Sequence, residues 1–151
     1  MNENFRVQFK GKNCLVTGGA GFIGSNLSRY LNKIGARVTI IDNFSTGRKD
    51  NIFGFNDLGI NVVNADVTDQ NNTQKFYENI DFVFHQAAIA SVPLSIEDPV
   101  LTQHHNVDGT VSALENSYRC GVEKFIFASS SAVYGDTSSV PTKESIEPMP
   151  Q

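Results

Sequence analysis

A short apolar run that closes in a cluster of glycines and reopens as an amphipathic segment leaves few choices of fold. Residues 17–24, TGGAGFIG, lie between two such pieces. Upstream, NCLVT at 13–17 reads as a strand. Downstream, Phe22, Ile23, Leu27, Tyr30, Leu31 and Ile34 keep the three-and-four spacing of one helical face, and Gly35 supplies the stop. The alternation then recurs. RVTIID at 37–42, INVVNAD at 60–66, DFVFHQAA at 81–88 and KFIFASSS at 124–131 read as strands two to five with their exit loops. Between strands two and three, NFSTGRKDN is polar and turn-rich and is followed by a weakly helical stretch. A helix is expected over 70–79. The longest helix should start near Asp98 and Pro99, an acid and a first-turn proline, and run to about Cys120, with Gly121 ending it.

Short apolar strands alternating with helices give an α/β chain with a doubly wound parallel sheet, helices on both faces and right-handed crossovers. The expected strand order is 3-2-1-4-5, and a sixth strand is not found. From Gly135 the composition turns to Pro, Ser and Thr, so 136–151 reads as an irregular tail. The 151 residues, 40% hydrophobic and 19% charged, suit one globular domain or part of one. A net charge of -4 with no basic run argues against nucleic acid or an anionic membrane surface and favours a small soluble partner. Residues 1–13 lack the apolar core of a signal segment and no stretch has the length of a membrane span, so a cytoplasmic location is expected. Cys14 and Cys120 have neither metal nor redox spacing and read as reduced core thiols. His85, His104 and His105 read as strand-end and helix-surface residues, and no metal site is expected.

Gly18, Gly21 and Gly24 stand at G-x-x-G-x-x-G spacing where strand turns into helix. There a glycine permits a tight turn, the approach of backbone to a pyrophosphate, and close helix–strand packing, while the helix start offers amides to the anion. Glycines alone are a weak signal, because any tight turn can use them. Asp42 strengthens it by closing strand two about 20 residues further on, where a carboxylate can accept from both adenosine ribose hydroxyls and repels a 2′-phosphate. That favours NAD over NADP. Arg48 could serve a 2′-phosphate but reads better as a solvated charge. Asp66 and Val67 lie at the rim where an adenine would sit; without the glycine loop, Asp66 would pass for a turn residue or helix cap.

VTGGAGFIGSNL, DNFSTG, ADVTD, FHQAAIASVPLSIEDP, HNVDGT and FASSSAVYGD follow one another in an order and spacing that resembles the extended short-chain dehydrogenase/reductase family. The resemblance is strongest to its NAD-dependent nucleotide-sugar epimerase/dehydratase branch, of the UDP-glucose or UDP-N-acetylglucosamine 4-epimerase kind, and runs from about Lys12 to Gln151. It implies a Rossmann-type NAD-binding domain. On it Gly18, Gly21, Phe22, Ile23 and Gly24 would cradle pyrophosphate, Asp42 would serve the ribose, Asn43 would be a further cofactor contact, and Asp66 with Val67 would border the adenine. Gln86, Ala87, Ala88 and Ala90 would line the nicotinamide side, and Asn106 would be the helix asparagine facing the cofactor. Ser130 would be the catalytic serine, hydrogen-bonding the sugar hydroxyl that is oxidised, and Ser131 a substrate contact. On composition alone the serine run is a polar loop, and the small residues at 87, 88 and 90 are close packing of a strand end. The resemblance also implies a homodimeric parent that takes a nucleotide sugar.

The family's proton chemistry uses a Tyr-x-x-x-Lys pair, whose lysine lowers the tyrosine pKa. No such pair occurs: Lys33 follows Tyr30 by three residues rather than four, and Tyr77, Tyr118 and Tyr134 fail the spacing too. The chain therefore reads as the amino-terminal part of a NAD-binding domain without its substrate domain, inactive by itself. The alternatives are a non-catalytic NAD-binding protein and a dehydratase or decarboxylase of the same family. The helix that normally carries the pair covers the sheet beside strand five, so FIFA at 125–128 should be open to solvent. The isolated chain is expected to associate in sedimentation experiments; a monodisperse monomer with a sharp cooperative melt would count against this.

Overall fold

A computed structural model describes residues 8–137 and 140–150. The amino-terminal stretch read as lacking a signal segment begins outside them. Five parallel strands form one sheet in the order β3-β2-β1-β4-β5: β1 (Asn13–Thr17), β2 (Arg37–Asp42), β3 (Asn61–Asn64), β4 (Phe82–His85) and β5 (Lys124–Phe127). This is the expected order.

Side chains alternate across β1, and each face feeds its own core. Cys14 and Val16 join Val38, Ile40, Phe82 and Phe84 on one side, closed by Leu31, Phe9, Phe55 and Ile60. Leu15 joins Ile41, Val83, Val67, Tyr77 and Ala113 on the other. Burial pushes the Cys14 thiol up to about 12, as befits an inert core residue. Cys120 is only half-buried at the edge of the second core.

Helix α1 (Phe22–Lys33) lies against the first face through Gly24, Ser25, Ser28 and Leu31. Those small residues let the helix approach closely, and Ser28 Oγ satisfies itself by donating to the Gly24 carbonyl at 2.7 Å. Gly35, at φ 95°, ends the helix while the Ala36 amide bonds back to the Leu31 carbonyl.

Elsewhere the elements are shorter than the sequence patterns imply. β3 stops at Asn64 instead of 66, leaving Ala65 and Asp66 in the loop. The helix expected over 70–79 is α2 (Gln70–Thr73) followed by a 3₁₀ turn (Gln74–Phe76), because the Asp69 carboxylate caps it locally and Asn79 has a positive φ of 60°.

The expected long helix is divided. α3 (Val92–Glu97) precedes it, capped by Ser91 with Pro93 in its first turn; the sequence reading passed over this element. After a break at Asp98 come α4 (Pro99–Gln103), a π-helical segment (His104–Asp108) and α5 (Gly109–Arg119). α5 packs Ala113, Ser112, Asn116 and Ser117 inward on the second face. A 3₁₀ turn (Ser131–Tyr134) follows β5, and the described residues beyond Gly135 carry no helix or strand. β5 is an edge strand with Phe127 55% exposed, in line with the expectation for 125–128.

Leu31 is the fully buried contact between α1 and the sheet. Leu31→Ala is expected to lower unfolding free energy by about 2–5 kcal/mol, read from urea denaturation.

Candidate functional site

The carboxyl ends of β1, β2 and β4 open on one cleft, where open parallel sheets receive ligands. Gly18, Gly21, Asp42, Asn43, Asp66, Val67, Gln86, Ala87 and Ala88 line it among the residues singled out from sequence. Ser45, Thr46, Gly47, Ile89 and His105 line it too and were not foreseen.

The turn after β1 is possible only for glycine. Gly18 has φ +66°, and a Cβ there would stand 2.7 Å from the Ala87 amide nitrogen and 2.8 Å from the Gln86 carbonyl carbon. A Cβ on Gly24 would collide with the Gly18 carbonyl oxygen, so α1 and the β1 turn touch backbone to backbone. Gly21 differs. It is in extended conformation (φ -71°, ψ 171°), and an added Cβ would meet only the Gly18 oxygen, at 3.2 Å. As the N-cap of α1 it offers no side chain to the helix's first amides, those of Phe22, Ile23 and Gly24. Such amides lack intrahelical acceptors, and with the helix dipole they form an anion-binding end. The Phe22 and Ile23 side chains point away, 80% and 64% exposed.

Asp42 ends β2 almost fully buried. Its Oδ2 accepts from the Ala20 amide at 2.9 Å and its Oδ1 from the Phe44 amide at 2.8 Å. One carboxylate thus holds the glycine turn against the β2 exit, and each oxygen keeps a lone pair for a further donor such as a ribose hydroxyl. Gly47 closes over it, since a Cβ at 47 would lie 2.7 Å from Asp42 Oδ1. Arg48 is exposed, and its amide donates to the Ala20 carbonyl.

Asp66 lies beside Asn43 in the cleft wall. Burial would raise its pKa, but hydrogen bonds from the Thr68 amide, the Asn43 side chain and the Thr68 hydroxyl, aided by the His105 charge, hold it below the usual value. Asn43 bonds sideways to Asp66 at 2.8 Å and also accepts from the Ser45 amide and hydroxyl.

On the β4 side Asn106, within the π-helical segment, accepts from the Ile89 amide through Oδ1 at 2.8 Å and donates to the Ile89 carbonyl through Nδ2 at 3.0 Å. It reaches the cleft through Ile89, which lines it. Ala90 is exposed beyond that point. Ser130 and Ser131 follow β5, both exposed; Ser130 Oγ caps the 3₁₀ turn by accepting from the Ala132 amide at 3.1 Å. They do not line the cleft. Of the histidines, His104 is exposed and pairs with Asp108, whereas His85 is fully buried at the end of β4. Among the described residues no group of three or more His, Cys, Asp or Glu could hold a metal ion, and no helix is long and apolar enough to cross a membrane.

A parallel sheet whose strand ends meet a glycine turn, a helix start and a buried carboxylate defines a dinucleotide-binding class of fold. The family model of the NAD dependent epimerase/dehydratase family matches residues 14–151, and the chain belongs to that family. Among solved structures, it is similar to a UDP-N-acetylglucosamine 4-epimerase from Methanobrevibacter ruminantium, in complex with UDP-N-acetylmuramic acid. The TM-score is 0.84 at 39% identity over 93% of this chain and 45% of that one. A Thermus thermophilus UDP-glucose 4-epimerase in complex with NAD superimposes with a TM-score of 0.81 at 37% identity, over 91% of this chain and 44% of that one. Among curated relatives, a UDP-N-acetyl-alpha-D-glucosaminuronate decarboxylase of Bacillus cytotoxicus is 40% identical over 82% of this chain and 38% of its own length. The chain thus spans less than half the length of these proteins.

Burial moves the His85 pKa from 6.5 down to about 4. The folded protein then binds fewer protons than the unfolded chain between those values, so this contribution is complete above pH 6.5 and lost as pH falls through about 4. It amounts to about 3 kcal/mol. Urea unfolding at stepped pH should show this acid-side slope, and His85→Asn should flatten it.

Proposed function

We propose that these residues are the cofactor-binding, amino-terminal part of a NAD-dependent nucleotide-sugar 4-epimerase that acts on a UDP-hexose or UDP-N-acetylhexosamine. The observation that carries the reading is the cleft itself, with Gly18, Gly21 and Asp42 on one side and residues 86–89 on the other, in a chain of a NAD-dependent family. Gly18, Gly21 and the amides of Phe22, Ile23 and Gly24 receive the pyrophosphate. Asp42, with Asn43, holds the adenosine ribose and disfavours a 2′-phosphate, while Asp66 and Val67 border the adenine. Gln86, Ala87, Ala88 and Ala90 form the nicotinamide side, which Asn106 supports through Ile89.

When bound, NAD supplies a reversible acceptor for the hydride at the sugar C4. The chain's own task is to orient the cofactor and exclude water from that face. Ser130 holds the sugar hydroxyl whose proton is lost, and Ser131 contacts the substrate. The base that takes the proton is not supplied by residues 1–151, which contain no Tyr-x-x-x-Lys pair. We assign it, the sugar-nucleotide pocket and the homodimer contact to a longer parent. These residues alone are therefore expected to bind NAD without turning over a UDP-sugar, which is also what a non-catalytic NAD-binding protein would do. A decarboxylase of the same family is the second reading, supported by the Bacillus cytotoxicus relative. Release of carbon dioxide from a UDP-uronate by the parent would select it.

Calorimetric titration is expected to show NAD binding at least about 10-fold tighter than NADP, given one carboxylate against a 2′-phosphate. Gly21→Ala should weaken NAD by a similar factor while the melting temperature stays near wild type, since the new methyl meets only the Gly18 oxygen in the protein but stands in the anion's path. NAD binding unaffected by that methyl, or no binding by the wild type, would overturn the assignment.

A further inference from the structure

The buried ring of His85 has no part in the reading above, and its partners join three separate pieces of the cleft wall. Thr17 Oγ1, at the end of β1, lies 2.8 Å from His85 Nδ1. The same oxygen accepts from the Ala87 amide at 3.3 Å and shares the Gln86 amide, at 3.2 Å, with the Thr17 carbonyl at 3.1 Å. On the other side His85 Nε2 lies 3.1 Å from Thr110 Oγ1. Thr110 in turn donates to the Asn106 carbonyl at 2.7 Å. The ring lies between these groups in a stack with Phe127, 6.1 Å between centroids and 21° between planes.

The proton positions follow from counting. The Thr110 hydroxyl gives its proton to the Asn106 carbonyl, so its oxygen can only accept from His85 Nε2, which must carry the ring proton. The ring is then neutral with its proton on Nε2, donated to Thr110, whose proton goes to Asn106. Nδ1 then accepts from the Thr17 hydroxyl, and the side-chain donors run in one direction, from Thr17 to His85 to Thr110 and on to the Asn106 carbonyl. Asn106 is also the residue that grips Ile89 by both backbone groups.

We propose that His85 is a positioning residue for the cofactor: through Thr17 and Thr110 it locks the exit loop of β4, residues 86–89, to the end of β1 and to the π-helical segment, so that the nicotinamide side of the cleft is fixed before the ligand arrives. The proposal rests on the cofactor reading above and deepens it. Because the lock acts on one half of the cleft, its loss must be felt by NAD and not by ADP-ribose, which keeps both riboses and the pyrophosphate and lacks only the nicotinamide ring. A merely structural role would affect both alike.

The test uses Thr110→Val, which keeps the shape and leaves the His85 Nε2–H without its acceptor, beside Thr110→Ser, which keeps the hydroxyl. Calorimetry with NAD and with ADP-ribose is expected to give Thr110→Val a loss of roughly 10-fold for NAD, the usual scale for an orphaned buried donor. ADP-ribose affinity should be unchanged, and Thr110→Ser should bind both as wild type does. Nitrogen chemical shifts of the His85 ring at neutral pH should report the Nε2–H tautomer. Equal losses for both ligands, no loss for either, or an Nδ1–H ring would overturn the proposal while leaving the cofactor reading intact. A wild-type protein that binds neither ligand would overturn both.

Discussion

The structure depends on one backbone-to-backbone contact. At Gly18 the turn leaving β1 passes so close to the β4 exit that even a methyl would overlap the Ala87 amide and the Gln86 carbonyl carbon. The Gly18 amide meanwhile donates to the Ile41 carbonyl at 2.8 Å, which ties the same turn to β2. Three strand ends thereby converge on one residue. What remains between their exit loops is the cleft, and α1 can aim its first amides into it only because Gly24 lets the helix touch the Gly18 carbonyl.

The two ends of the sheet are finished by different physics. At the amino ends Asp81 accepts from the Asn13 amide at 2.7 Å and pairs with Lys12, which also reaches Glu123. Water screens that group, so it sets the register of β1, β4 and the β5 approach more than it stabilises the fold. At the carboxyl ends the polar groups are buried, and each needs a partner inside the protein. Asp42 takes two amides, the Thr17 hydroxyl takes that of Ala87 and shares that of Gln86 with its own carbonyl, and His85 and Asn106 complete the chain. The end that must stay concave for a ligand therefore requires a specific polar network, whereas the other end tolerates a surface ion cluster.

β1 and β2 are legible to the residue because each is a short unbroken run, apolar CLV in β1 and β-branched VTII in β2, closed off by glycine or charge. The glycine turn was legible because its spacing has few other uses. The division of the 98–120 helix was not, since apolar periodicity survives a π-helical segment; what the segment changes is the direction in which Asn106 points, and spacing does not encode that. α3 escaped because its first turn contains proline and no buried residue, leaving no periodic signal beyond Ser91 and Pro93. His85 was read as an ordinary strand-end residue. Its burial depends on Thr17 and Thr110, which are far from it in sequence and whose hydroxyls give no pattern of their own. His105 was likewise read as helix surface, and it lines the cleft because the π-helical segment turns it there.

The site is built unevenly across the sheet. Toward β2 and β1 its groups are buried or held by several bonds, as at Asp42, Asp66 and the glycine turn, so that side is ordered before any ligand binds. Toward β5 the sheet ends in exposed side chains: Phe127, which stacks on the His85 ring, and Ser130 and Ser131, of which Ser130 is bonded to its own turn. A preorganised half loses little conformational freedom when it binds, while an exposed serine loses all of its own. A ligand seated toward β1 and β2 therefore meets groups already in place, whereas one that reaches the hydroxyls beyond β5 must order them as it binds.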